Sequence, residues 1–208
     1  MKNCLPDMLS RRIAERLRGC ETPFYLYDME LLRQTVEAAL AAAGRYGYRV
    51  HYAMKANNDR RIMAYIAASG MGADCVSGNE VRRALETGFA PQAIVYAGVG
   101  KKDSEIAYAL EQGIFAFNCE SKGELVVIDS IARELGVVAD VALRINPDVD
   151  PRTHSHITTG LPENKFGISP QELGEVVEMS GDLHNVDIMG LHFHIGSQIT
   201  DLEVFATL

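Results

Sequence analysis

From residue 50 onward the chain alternates between two patterns. Short apolar, β-rich runs at 50–54, 72–76, 93–97, 114–118, 138–145 and 187–194 predict strands. The stretches between them, at 60–68, near 79–87, 104–111, 121–135 and about 170–179, predict helices. Gly70, Gly88, Gly113 and Gly136 each follow a helical stretch, where a left-handed C-terminal cap is favoured. Every strand closes in a small or polar cluster: Lys55-Ala56-Asn57, Ser77-Gly78-Asn79, Gly98-Val99-Gly100, Cys119-Glu120-Ser121, Arg144-Ile145-Asn146-Pro147 and His194-Ile195-Gly196-Ser197.

This βαβα rhythm implies an α/β fold, a parallel sheet with helices outside it. In a (β/α)8 barrel of the TIM type, the C-terminal strand ends form one rim that carries the active site. An open doubly wound sheet gathers its polar residues at one switch point instead of at every strand. The barrel is therefore the expected architecture, here incomplete, with six of its eight βα units. The last residues, Phe205-Ala206-Thr207-Leu208, fall inside what reads as the next helix, so the expectation is the front portion of a longer protein. An unclosed barrel would leave two sheet edges exposed. Residues 1–208 alone are thus expected to be poorly soluble or to rely on a partner.

Composition narrows the class further. The chain has 208 residues, 47% hydrophobic and 23% charged, enough for a sizeable core and unlike a disordered or collagenous chain. A formal net charge of −8 repels phosphate backbones, so no nucleic-acid partner is expected. No apolar run approaches the roughly 18 residues that span a bilayer, and the N-terminus lacks the apolar centre of a secretion signal. No membrane partner is expected, and cytoplasmic localisation is the default. Cys4, Cys20, Cys75 and Cys119 form no CxxC pair, which indicates neither a zinc site nor a disulfide framework. His154 and His156 have metal-ligand spacing, but no carboxylate or third ligand follows at a useful interval, so no metal is expected.

Lys55 carries the most chemistry. It follows the first strand, where its stem is expected to pack and its amine to face the barrel mouth. A lysine so placed can act as a nucleophile toward a carbonyl, although a solvated strand-end lysine is the simpler reading. Cys75, inside a strand, reads as a small core residue.

Several segments resemble the fold-type III pyridoxal-phosphate decarboxylases. They are Tyr52-Ala53-Met54-Lys55-Ala56-Asn57, Gly72-Ala73-Asp74-Cys75-Val76-Ser77-Gly78-Asn79-Glu80, Phe117-Asn118-Cys119-Glu120-Ser121, Leu143-Arg144-Ile145-Asn146-Pro147 with Lys165-Phe166-Gly167-Ile168, and His192-Phe193-His194-Ile195-Gly196-Ser197-Gln198-Ile199. Thr22-Pro23-Phe24-Tyr25-Leu26-Tyr27-Asp28 is similar to the family's lead-in strand. The resemblance runs in family order from about residue 22 to 201. It divides the chain into an N-terminal extension, 1–21, and a partial cofactor-binding barrel, 22–208. The His-Ile-Gly-Ser-Gln-Ile form and the run from Thr158-Thr159-Gly160 to Lys165-Phe166-Gly167 are most similar to the diaminopimelate decarboxylase branch.

The resemblance implies pyridoxal 5'-phosphate as cofactor and a carboxy-lyase activity, meso-diaminopimelate giving L-lysine and carbon dioxide at the last step of lysine biosynthesis. It also implies a homodimer. Lys55 would hold the cofactor aldehyde as a Schiff base. His194 would stack on the pyridine face, the alternative being an interior histidine satisfied by a backbone group. Ser197 would contact the phosphate. Asp74 and Glu80 match acidic positions near the lysine, although Glu80 can equally serve to open its helix. Arg144 matches an arginine near the cofactor, with an ion pair across the rim as the alternative. Asn57 can simply end its strand. Asn79 departs from the family, which often has a glycine there. The family's glycine-rich phosphate loop, its pyridinium-pairing glutamate and its C-terminal β-domain normally follow the region matched here. Residues 1–208 alone are therefore expected to be inactive. Ornithine- or arginine-type decarboxylation, a racemase on the same barrel and a non-catalytic pyridoxal-phosphate carrier are the rival functions.

Overall fold

The computed structural model describes residues 11–146, 166–196 and 203–206. Two compact units divide the chain, Met1–Tyr48 and Arg49–Leu208. In the first, α1 (Arg11–Leu17) and α2 (Met29–Gly44) are the described elements. The Asp28 carboxylate caps α2 by accepting hydrogen bonds from the Glu30 and Leu31 N–H groups, at 2.9 and 3.0 Å. Arg33 pairs with Glu30 and Glu37 along the same helix. Residues 22–28 were expected to resemble a lead-in strand. They join no strand, because no ladder partner meets them among the described residues and Asp28 is committed to the helix cap.

The second unit alternates regularly: β1 (His51–Ala53), α3 (Arg60–Ala68), β2 (Gly72–Cys75), α4 (Gly78–Glu86), β3 (Ile94–Tyr96), α5 (Asp103–Glu111), β4 (Ala116–Cys119), α6 (Lys122–Leu135), β5 (Ala139–Ile145), α7 (Pro170–Ser180), β6 (Val186–Phe193) and α8 (Glu203–Ala206). Short 3-10 turns at Met54–Ala56 and Pro91–Ala93 follow β1 and precede β3. All six strands pair in parallel and in sequence order. A doubly wound sheet reverses its order at a switch point, whereas right-handed crossovers between consecutive neighbours put every helix on one face. This is the winding of a barrel wall, as the strand-end pattern predicts.

The core lies between sheet and helices. Ile62, Met63 and Ile66 of α3, Val81 and Ala84 of α4, Ile106 and Ala109 of α5, and Leu125, Ile128 and Ala132 of α6 are buried. So are Ala73, Cys75, Ile94, Tyr96, Phe117, Val141 and Leu143 of the strands. On β6, however, Met189, Leu191 and Phe193 are exposed, an apolar edge face of the kind the unclosed sheet implies.

The turns from strand to helix repeat one chemical device. Ser77, Ser121 and Ser169 cap α4, α6 and α7, accepting from the N–H of Glu80, Glu124 and Glu172 three residues on. The glutamates reach back in turn: Glu80 accepts from Val76 N–H at 2.7 Å, Glu124 from Glu120 N–H at 2.8 Å, and Glu172 from Ser169 N–H at 3.2 Å. Glu105 of α5 accepts from Lys102 N–H at 3.1 Å and from Gly78 N–H at 3.0 Å, which ties the turn after β3 to the start of α4. Gly70, Gly88, Gly113 and Gly136 all take positive φ after their helices, as expected.

Candidate active site

The C-terminal strand ends enclose a cleft of about 220 Å³ lined by Lys55, Asp74, Val76, Ala97, Gly98, Arg144, Phe166, His192 and His194. A larger cavity, about 440 Å³, lies at the turns after β3 and β4 and includes neither Lys55 nor either histidine. The smaller cleft gathers the chemistry. Lys55 enters it from the 3-10 turn after β1, Asp74 from β2, Arg144 from β5, and His192 and His194 from the end of β6. Gly98 forms the wall between β3 and α5 with φ of +108°, and a Cβ there would stand 3.1 Å from the Val76 carbonyl oxygen. Both conditions favour glycine.

Arg144 does not stand free. Its guanidinium donates to Glu120 Oε1 at 2.6 Å, with the two side chains 12% and 5% exposed, and its Cζ lies 5.7 Å from the centre of the Phe166 ring. The second Glu120 oxygen is buried without a hydrogen-bond partner. Lys101 makes a second buried ion pair at the rim. Its Nζ donates to Glu124 Oε1 (2.6 Å), Gly98 O (2.8 Å) and Asn118 O (2.9 Å), which satisfies all three ammonium hydrogens. It thereby joins the ends of β3 and β4 to the first turn of α6.

Charge in the cleft is unevenly settled. Burial raises the Asp74 carboxyl above its ordinary range, against the opposing pull of Lys55 and His51. Burial and the positive field of Arg144, with lesser contributions from His194 and Lys101, push the His192 imidazole down to about 4, so it is neutral near pH 7. Its Nδ1 is buried and unpartnered. Cys75 is fully buried with its Sγ 3.3 Å from Met54 Sδ, and burial pushes its thiol up, in keeping with a core residue.

Of the residues singled out in the sequence, Lys55, Asp74, Arg144 and His194 meet in this cleft. Lys55 differs from expectation in one respect. The strand ends at Ala53, so Lys55 rides on the 3-10 turn and is exposed, with Met54 packing inward in its place. Glu80 does not line the cleft; its carboxylate accepts from Val76 N–H at the start of α4. Asn57 builds the turn, accepting from Asp59 N–H through Oδ1 and from the Tyr52 hydroxyl through its carbonyl. Ser197, His154, His156 and the run 158–165 lie outside the described residues. Among the described residues, no three His, Cys, Asp or Glu side chains group as a metal site. Sequence reasoning missed His192, Lys101 and the pairing of Glu120 with Arg144. The strand period marks His192, two residues from His194 on one face. The serine-to-glutamate spacing marks Glu124 but gives no hint that a lysine answers it.

Lysine, carboxylate, arginine and paired histidines at the rim of a parallel α/β barrel wall define a site for a small anionic or carbonyl-bearing ligand. The family described as "Pyridoxal-dependent decarboxylase, pyridoxal binding domain" matches residues 30–208, and the chain belongs to it. It is 51% identical over 195 residues to a diaminopimelate decarboxylase of Bacteroides thetaiotaomicron, covering 93% of this chain and 50% of that protein. The crystal structure of diaminopimelate decarboxylase from Helicobacter pylori complexed with L-lysine aligns with a TM-score of 0.83 at 41% identity, over 91% of this chain and 48% of that one. Arginine decarboxylase of Paramecium bursaria Chlorella virus, at 24% identity, shares the fold with a TM-score of 0.78 over 94% of this chain and 50% of that one. The chain spans about half the length of the curated relatives it matches. The family's cofactor is pyridoxal 5'-phosphate. The cleft fits such a group: an exposed lysine amine at its mouth, histidines on its wall and a buried polar atom in want of a partner.

Proposed function

We propose that the protein carrying this chain is a pyridoxal-phosphate-dependent carboxy-lyase that converts meso-diaminopimelate to L-lysine and carbon dioxide. The observation that carries the substrate choice is the gap in identity. Diaminopimelate decarboxylases match at 37–51%, whereas the arginine and ornithine decarboxylases match at 24–25% on the same fold. Bound cofactor supplies a conjugated ring that accepts the electron pair left when carbon dioxide departs. Lys55 would hold the cofactor through its ε-amine. By the family resemblance, His194 would hold the ring and Ser197 would hold the phosphate. Asp74 holds a carboxyl beside Lys55, where it can keep or pass a proton. Arg144, clamped by Glu120, supplies fixed positive charge to the cleft wall. Glu80 supports the site from behind by holding the turn after β2.

The protein works as a homodimer in the cytoplasm. The dimer rests on the family resemblance. The compartment is supported by Cys20, Cys75 and Cys119, which are free thiols, as a reducing environment keeps them. The test is carbon dioxide release by the whole protein, with added cofactor, from meso-diaminopimelate, L-ornithine and L-arginine in turn. Release from meso-diaminopimelate is expected. Release from ornithine alone overturns the substrate, and racemisation without gas overturns the reaction class.

A further inference from the structure

The inner face of β6 carries a histidine that the family resemblance leaves without a role. Strand alternation puts Ile188, Gly190 and His192 on one face and leaves Met189, Leu191 and Phe193 on the other. His192 stands in register with Arg144 on β5 and lines the same cleft as Lys55, Asp74 and His194. Its neighbour on that face, Gly190, has open space where a Cβ would stand, so the imidazole is not wedged in by its own strand. Its Nδ1 is buried yet bonds to nothing among the described residues, which is rare for a native polar atom and marks a place for a ligand group. Arg144, its neighbour on β5, is drawn toward Glu120 at 2.6 Å and leaves this nitrogen unbonded.

We propose that His192 is a further positioning residue of this cleft, its neutral imidazole making through Nδ1 a hydrogen bond to a polar atom of the bound pyridoxal group. The inference rests on the reading of the cleft as the cofactor site. The arrangement keeps the contact neutral: burial and the clamped Arg144 both oppose protonation, and His194 and Lys101 add to them. His192 therefore orients the cofactor without adding charge to a wall that already carries Lys55, Asp74 and Arg144.

The test compares His192→Asn, His192→Gln and His192→Leu in the whole protein. An Asn amide falls near the position of Nδ1, a Gln amide near that of Nε2, and Leu offers no polar atom. Pyridoxal 5'-phosphate is titrated into each apoprotein by absorbance, and the apoprotein melting temperatures are recorded alongside. Leu and Gln are expected to weaken binding about tenfold, the worth of one hydrogen bond, while Asn stays close to wild type and the apoproteins melt alike. Equal affinity in all four proteins, or an Asn variant no better than Leu, overturns the proposal. Borohydride reduction of the wild type separates the two failures. A pyridoxyl adduct on Lys55 with unchanged affinity in the variants sinks only the role of His192, whereas no adduct sinks the cofactor site and this role with it.

Discussion

Replacing Lys101 by methionine removes the ammonium from a pocket built around it. The lysine side chain is 1% exposed and its Glu124 partner 14% exposed, with 2.6 Å between them. Methionine fills a similar volume but leaves the Glu124 carboxylate and the Gly98 and Asn118 carbonyls without their donor. Breaking a buried pair from one side costs about 3–5 kcal/mol. Glu124 keeps its hydrogen bond from Glu120 N–H and touches solvent, which places the cost near the lower end, about 3 kcal/mol. In a domain of 150–250 residues that lowers the melting temperature by roughly 6–12 °C, and by less in a longer cooperative unit. Thermal melts of the whole protein measure it, with Lys101→Met/Glu124→Gln as the control. Removing the stranded carboxylate charge should recover part of the loss. A single variant that melts with the wild type, or a double variant no more stable than the single, refutes the claim that this pair braces the rim.

Two further outcomes follow from the geometry. Gly98→Ala forces a Cβ into a left-handed backbone 3.1 Å from the Val76 carbonyl, so it should destabilise by about 1–3 kcal/mol in denaturant melts and weaken cofactor binding; an unchanged midpoint and affinity would show that the turn relaxes freely. His192 titrates near 4 in the folded protein against an ordinary 6.5, so between those values the unfolded chain binds more protons and folding stability falls as pH drops through the window. Melts from pH 7 to 4 should therefore show a smaller loss for His192→Leu than for wild type, and parallel curves would contradict the shift.

The barrel wall could be read from the chain because its strands are short, apolar-rich segments that alternate with helical stretches between glycine- and serine-marked turns. Lys55, Arg144 and His194 sit in strand-end clusters that a parallel sheet brings to one rim, whereas the roles of Asp74, Arg144 and His194 were legible only through the family resemblance. Residues 22–28 were expected as a strand only through the family resemblance, and pairing depends on a neighbour that local sequence does not reveal. The helix at Met29–Gly44 went unread although Asp28 marks its start. Lys101 stayed hidden for the opposite reason. In Gly98-Val99-Gly100-Lys101-Lys102 it reads as a solvated loop lysine, and only the fold carries it under the Glu124 carboxylate 23 residues on. His192 lay in a motif already noticed, but burial of its Nδ1 depends on β5 beside it.

The buried Lys101–Glu124 and Glu120–Arg144 pairs bear on how lineages of this domain can diverge. Loss of either member alone strands an opposite charge beneath the rim, so replacement at these sites should arrive in matched couples. Descendants would then show correlated exchange, lysine with glutamate and arginine with glutamate, while the apolar positions behind them drift one at a time.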